Sequence, residues 1–273
     1  MFNTSNKGRL IAKILNDEKD KRKETIKISI AEDEAESDEE TQFKKREKTF
    51  NAINLKKGKF QYITDKGRDR DTIYLCGSAG SGKSYWIKLY LENCYMKQFK
   101  NNQIYLFSEC EDDPAFSNIK MNRFKIKDEK FLEDPLDFRD FENCLCIFDD
   151  IDAIKGKLGK FLYDLRDKLL KNSRKYGVSV ITTNHSPTGL DQKAVLNESN
   201  VIVFFMHNFN RSLRYLLQNY IGMDKLGIEN LRKLKKSRWT AYIKSFPNVI
   251  MDEYNLYKLN DLNEKKLENI KVN

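Results

Sequence analysis

The sequence has few of the residues that hold small exported folds together. Its 273 residues include five cysteines, an odd count at irregular spacings, and only four prolines. That composition argues against a disulfide framework and for a reducing compartment. No apolar run approaches the roughly 18 residues that a membrane helix needs, so no membrane span is expected. The N-terminal apolar cluster of Leu10, Ile11, Ile14 and Leu15 has no small-residue cleavage site after it and does not read as a secretion signal. Histidine is limited to His185 and His207, which makes a zinc site a poor reading. Secreted hormones, collagens and channels are thereby excluded. A content of 40% hydrophobic and 12% aromatic residues is enough to bury a core.

Charge is unevenly spread. Lys and Arg number 50 against 41 Asp and Glu, a formal +9. Residues 32–40, EDEAESDEE, hold seven of the acids, and discounting them raises the remainder to +16. A basic body of this kind suits a polyanionic partner such as nucleic acid.

The organisation expected along the chain is a charged, largely disordered extension over 1–48, a nucleotide-binding domain over 49–260 and a polar tail over 261–273. A short amphipathic helix is expected at 9–14, and the acidic run is expected to be solvated. From residue 72 onward, apolar strand-like runs alternate with helical periodicity. Strands are expected at 59–64, 72–76, 103–107, 144–148, 178–182 and 201–206. Helices are expected at 83–99, 159–176, 192–199 and 212–220. Residues 109–142 read as irregular. After 225, a basic helical stretch leads into strand-like segments at 239–243 and 249–251. Strand and helix in this rhythm predict an α/β fold with a mostly parallel central sheet and helices on both faces. Cys144 and Cys146 fall on one face of such a sheet as small apolar residues. Tyr85, Trp86, Tyr90 and Tyr95 on the first helix read as packing residues.

Gly77, Ser78, Ala79, Gly80, Ser81, Gly82, Lys83 and Ser84 satisfy G-x-x-x-x-G-K-[ST] between an apolar strand and a helix. Glycines let successive N–H groups turn inward on phosphates, and the helix N-terminus adds partial positive charge. Lys83 is expected to reach the β- and γ-phosphates of ATP, and the Ser84 hydroxyl to bind Mg²⁺. Asp149 and Asp150 end the apolar run Cys144-Leu145-Cys146-Ile147-Phe148. Asp149 is expected to hold the metal, and Asp150 to orient and deprotonate the attacking water. Asn184, after the strand 178–182, is expected at the same carboxyl edge, with its amide on the γ-phosphate or the water.

GSAGSGKS, CLCIFDDID and VSVITTNHSP, in that order, resemble the FtsK–HerA superfamily of P-loop ATPases. Within it they resemble the poxvirus-type packaging ATPases of nucleocytoplasmic large DNA viruses. The resemblance runs from about 55 to 260, and implies a RecA/FtsK-like P-loop NTPase fold. The implied activity is an ATP-driven motor that moves double-stranded DNA into a preformed capsid. A homo-oligomeric ring, pentamer or hexamer, is implied with it, as are capsid or portal-vertex partners and a location at virus assembly sites in the host cytoplasm or in the virion. Two features depart from the family: Asn184 stands where cellular relatives usually have glutamine, and the acidic run has no counterpart. Ring motors of this type need an arginine from the neighbouring subunit. Arg174, in the basic cluster 171–175, is the first candidate and Arg211 the second. Residues 225–244 carry seven Lys or Arg against one acid, Glu229, enough to contact a DNA backbone without regard to sequence. Two other readings stay open: an ATP-dependent switch or scaffold in virion assembly, and a P-loop nucleotide kinase. The acid pair at the strand end disfavours the kinase.

Overall fold

A computed structural model describes residues 1–4, 8–15, 26–31, 49–65, 67–110, 113–126, 130–189, 192–234 and 237–270. The acidic run 32–40 lies outside them. The chain forms two compact units, Met1–Lys66 with Met223–Asn273, and Gly67–Gly222. This division differs from the expected one at residues 48 and 260.

The first unit begins with strands where an extension was expected. They are β1 (Phe2–Asn3), β2 (Arg9–Leu15) and β3 (Lys27–Ile30), followed by β4 (Thr49–Phe50), β5 (Ala52–Asn54) and β6 (Lys59–Tyr62). Five of them make an antiparallel sheet in the order β4-β1-β3-β2-β6. The helix expected at 9–14 is therefore strand β2. Seven residues are too few for a 3.6-residue period to be told from a buried strand. Here pairing decides, because β2 is bonded on both edges and Ile11 and Ala12 are buried.

The second unit holds β7 (Thr72–Cys76), β8 (Gln103–Ser108), β9 (Asn122–Lys125), β10 (Cys144–Phe148), β11 (Ser179–Asn184) and β12 (Val201–Phe204). Its helices are α1 (Lys83–Tyr90), α2 (Met96–Gln98), α3 (Lys130–Glu133), α4 (Gly156–Asn172), α5 (Lys193–Glu198) and α6 (Arg211–Leu216). The six strands are all parallel, in the order β12-β7-β11-β10-β8-β9. Every residue of β7, β10, β11 and β12 is buried, as a parallel sheet covered on both faces requires. This is the α/β P-loop NTPase architecture expected. Trp86, Tyr90 and Tyr95 are buried and in ring contact, so the first helix packs through its aromatics, although Tyr85 is exposed. Strand β9 lies in the stretch read as irregular. It is a four-residue edge strand carrying Arg123 and Lys125, too polar to show an apolar run. All five cysteines are free.

The first unit resumes with α7 (Lys225–Lys233), β13 (Thr240–Ile243), β14 (Val249–Asp252), β15 (Asn255–Lys258) and α8 (Leu259–Glu264). Strands β5-β15-β14-β13 pair antiparallel in that order. The expected polar tail is partly packed: Leu262 and Ile270 are buried. Asn230 holds its turn, donating to the carbonyls of Leu262 at 2.8 Å and Lys265 at 2.7 Å.

Asp252, buried at the β14–β15 turn, accepts from the Tyr254 and Asn255 amides at 2.6 and 2.8 Å. Burial outweighs these bonds and pushes its carboxyl up to about 6. A raised carboxyl favours the fold while protonated, so its contribution is complete below about pH 4 and is lost as pH rises through 6. The expected loss is on the order of 2–3 kcal/mol. Urea melts followed through Trp239, the buried tryptophan of this unit, should fall between pH 4 and 7, and Asp252→Asn should flatten that slope. An unchanged slope in the variant would assign the pH dependence to other groups.

Candidate nucleotide site

The phosphate loop follows the carboxyl end of β7. Gly82 enters α1 at φ 110°, a left-handed backbone that L side chains resist. At Gly77 a Cβ would lie 2.6 Å from the Phe205 ring and 2.7 Å from Ser81 Oγ, so only glycine fits. The Gly77 amide donates to the carbonyl of Asn184 at 3.0 Å, tying the loop to the end of β11. Ser78, Ala79 and Gly80 are exposed at the mouth of the loop, Ser81 is buried and Ser84 half-buried.

The ladder brings the carboxyl ends of β7, β11 and β12 level, with β10 ending two residues earlier. Asn184 and Phe204 both pair with Cys76, and Phe148 pairs with Thr182 and Phe107. Strand β11 lies between β7 and β10, so its last residues stand between the phosphate loop and the acid pair. Lys83, almost fully buried, donates to the Gly77 carbonyl at 2.9 Å and lies 3.3 Å from Asp150 Oδ1. The structure thus brings together the lysine and the acid that the sequence separates by 67 positions.

Thr183 organises the acids. Its hydroxyl lies 2.8 Å from Asp149 Oδ1 and 3.0 Å from Asp150 Oδ1, and accepts from the Asp150 amide at 2.9 Å. Ser108 donates to Asp149 Oδ2 at 3.3 Å. Burial pushes the Asp149 carboxyl up from the usual range, the Asp150 charge adds to this, and Thr183, Ser108 and Lys83 pull it back. A buried carboxylate so poised is a suitable ligand for a hard divalent cation. Asp150 itself adopts φ 46°, turning the chain from β10 into a short 3₁₀ turn, Ile151–Ala153. Beyond it, His185 Nε2 lies 3.5 Å from Asp150 Oδ2 and His185 Nδ1 3.6 Å from Asp152 Oδ1.

Among the described residues, neither the Ser81 hydroxyl nor the Asn184 side-chain amide, both buried, has a hydrogen-bond partner. Buried polar atoms without partners are costly, and a bound polyphosphate would supply acceptors for the Ser81 hydroxyl and the Asn184 side-chain NH₂. The residues present therefore fit a nucleotide with its magnesium.

The arginines lie elsewhere. Arg174 is exposed in the 3₁₀ turn before β11, at the amino end of the sheet and opposite the phosphate loop. Its charge adds to burial in lowering the pKa of Arg70. Arg211, also exposed, opens α6 beyond the carboxyl end of β12. Among the described residues neither makes an ion pair. In the basic stretch, Lys225, Arg232, Lys233 and Arg238 are exposed, while Lys235 and Lys236 lie outside the described residues. Thr183, Ser108, Asp152 and His185 complete the site without belonging to the residues expected there. Strand alternation offered one signal: Thr183 must face opposite Thr182 and Asn184.

No protein-family model matches the chain. It is 34% identical over 209 residues to the uncharacterized protein V3 of the Sputnik virophage, covering 72% of this chain and 84% of V3. Solved structures similar to it include the genome packaging NTPase B204 of Sulfolobus turreted icosahedral virus 2 in complex with sulfate. That match has 21% identity and a TM-score of 0.44, over 68% of this chain and 97% of that one. Another is the pCW3 conjugation coupling protein TcpA, with 13% identity and a TM-score of 0.46 over 93% and 78% of the two chains. Among the described residues no helix is long and apolar enough to cross a membrane.

Proposed function

We propose that this chain, which belongs to the family of the Sputnik virophage V3 protein, hydrolyses ATP to drive double-stranded DNA into a viral capsid. The observation that carries the hydrolysis is the meeting of Lys83, Asp149 and Asp150 at one sheet edge, with Lys83 Nζ 3.3 Å from Asp150. The packaging role is supported by the order of the three motifs, which resembles that of the FtsK–HerA packaging ATPases. A virophage relative supports a viral setting.

The loop from Gly77 to Ser84 wraps the phosphates with backbone N–H groups, and Lys83 leaves Asp150 to bind the β- and γ-phosphates. Asp149 and Ser84 would hold Mg²⁺, which neutralises charge on the phosphates when bound. Asp150, its Oδ1 freed from Lys83, takes a proton from the attacking water. Asn184 offers its side-chain amide, unpartnered among the described residues, to the γ-phosphate. An arginine from the next subunit of a five- or six-membered ring, Arg174 or Arg211, completes the charge stabilisation. The exposed cations of residues 225–244 contact the DNA backbone. Capsid or portal-vertex proteins would anchor the ring at assembly sites in the host cytoplasm.

Measured at concentrations where the protein is oligomeric, ATP hydrolysis should rise several-fold on adding long duplex DNA. ATP binding with no response to DNA would instead favour a nucleotide-dependent switch or scaffold in virion assembly.

A further inference from the structure

We infer that His185 and Asp152 are positioning residues, a carboxylate–imidazole relay that holds Asp150 in place for its work on water. The inference rests on the reading of Asp150 as the group that activates water. Among the described residues, four groups surround the Asp150 carboxylate and the ring that faces it. Oδ1 faces Lys83 Nζ at 3.3 Å and the Thr183 hydroxyl at 3.0 Å. Oδ2 faces His185 Nε2 at 3.5 Å. The other ring nitrogen, Nδ1, faces Asp152 Oδ1 at 3.6 Å, and the His185 amide donates to Asp152 Oδ2 at 3.2 Å. Both ring nitrogens and the backbone of His185 are thus turned toward carboxylates.

The chain places these groups for simple reasons. Asp150 at φ 46° reverses direction at the end of β10, and the 3₁₀ turn that follows carries Asp152 two residues on. His185 is the first residue beyond β11, the strand adjacent to β10. Phe148, the end of β10, pairs with Thr182, so β11 runs two residues further and His185 comes level with the 3₁₀ turn that carries Asp152. Asp152 meets His185 twice: Oδ2 accepts a hydrogen bond from the backbone amide, and Oδ1 stands at ion-pair distance from Nδ1, so the residue is anchored by its main chain and the ring is drawn toward the carboxylate as it meets Asp150. An imidazole fixed in this way by a carboxylate is the arrangement that orients histidines in catalytic triads and metal shells.

The relay matters when nucleotide arrives. Lys83 is drawn to the phosphates and ceases to hold Oδ1. Thr183 divides its single proton between Asp149 and Asp150, both within 3.0 Å. The imidazole ring with an N–H on each nitrogen, one toward Asp152 and one toward Oδ2, is then what keeps Oδ2 from rotating. A general base misplaced by about 1 Å loses on the order of a hundredfold in rate.

The test has two arms. In the first, steady-state kinetics on the full chain should show His185→Ala lowering kcat roughly 10- to 100-fold with KM for ATP within about twofold. His185→Gln, which keeps an N–H donor, should recover a large part of the loss. Asp152→Ala should act similarly, and the double variant should be no worse than His185→Ala alone, because the two act as one unit. Unchanged kcat in His185→Ala, a glutamine as poor as alanine, or additive losses would each overturn the relay.

The second arm does not depend on turnover. With only two histidines in the chain, ¹⁵N-histidine labelling gives two ring systems, and His207 serves as the internal control. Asp152→Asn and Asp150→Asn should each shift the ring ¹⁵N signals of His185 and leave those of His207 in place. Signals of His185 that ignore both substitutions overturn the relay. A wild-type chain that turns over no ATP, with His185 still responding, overturns the hydrolysis reading and upholds the linkage.

Discussion

Asp150→Asn is expected to lower ATP turnover by roughly 10²–10⁴-fold, the usual contribution of a positioned general base, while ATP stays bound. Asparagine is nearly the same size and still accepts from Thr183, so the turn after β10 is kept. What it loses is basicity and the charge that faces Lys83 at 3.3 Å. The loss of charge leaves Lys83 freer for the phosphates, so ATP affinity should hold or rise. Phosphate release assayed beside titration with a fluorescent ATP analogue separates the two quantities. Turnover close to wild type would move the base to another carboxylate, with Asp152 the first to examine. Loss of binding and turnover together would show that Asp150 shapes the loop rather than the reaction.

Phe107→Ala should destabilise the Gly67–Gly222 unit by about 3–5 kcal/mol, a large share of the 5–15 kcal/mol that typically holds a domain. The ring is fully buried and stacks on Phe148 at 4.7 Å with 5° between planes, and on Phe124 at 4.5 Å with 16°. Each such pair adds roughly 0.5–1.5 kcal/mol beyond area burial. Removing the ring empties space between β8, β9 and β10 where it now stacks on Phe124 and Phe148. The two tryptophans divide between the units, Trp86 in this one and Trp239 in the other, so a Trp239→Phe background isolates the signal. A shift below about 1 kcal/mol in a urea melt would mean that the sheet closes over the gap. Ser108, the next residue, donates to Asp149, so the same substitution should also weaken the grip on that carboxylate.

Much of the nucleotide-binding unit was legible because parallel strands buried on both faces read as unbroken apolar runs. Thr72–Cys76 and Cys144–Phe148 are such runs, and each delivers its chemistry at its carboxyl end. Strand β2 was not legible, because its identity comes from β3 and β6 on either side and not from its own seven residues. The same holds for β9 and for α8, whose turn depends on Asn230 from another helix. At the site, Lys83, Asp149, Asp150 and Asn184 stood out by motif. The groups that hold them did not. Thr183 and Ser108 lie 34 and 41 positions from Asp149, and only strand order makes them neighbours.

The position of β11 between β7 and β10 makes the backbone a gauge. The strands that bear the phosphate loop and the acid pair stand two ladder spacings apart, about 9.5 Å, whatever side chains they carry. Substitution can alter what projects into that span but cannot change its width. Register, by contrast, is all or nothing. A one-residue slip of β11 would turn Thr183 away from both aspartates and bring Asn184 to face them. A misthreaded chain would therefore be wholly inert, and every correctly paired one would carry the same calibrated opening.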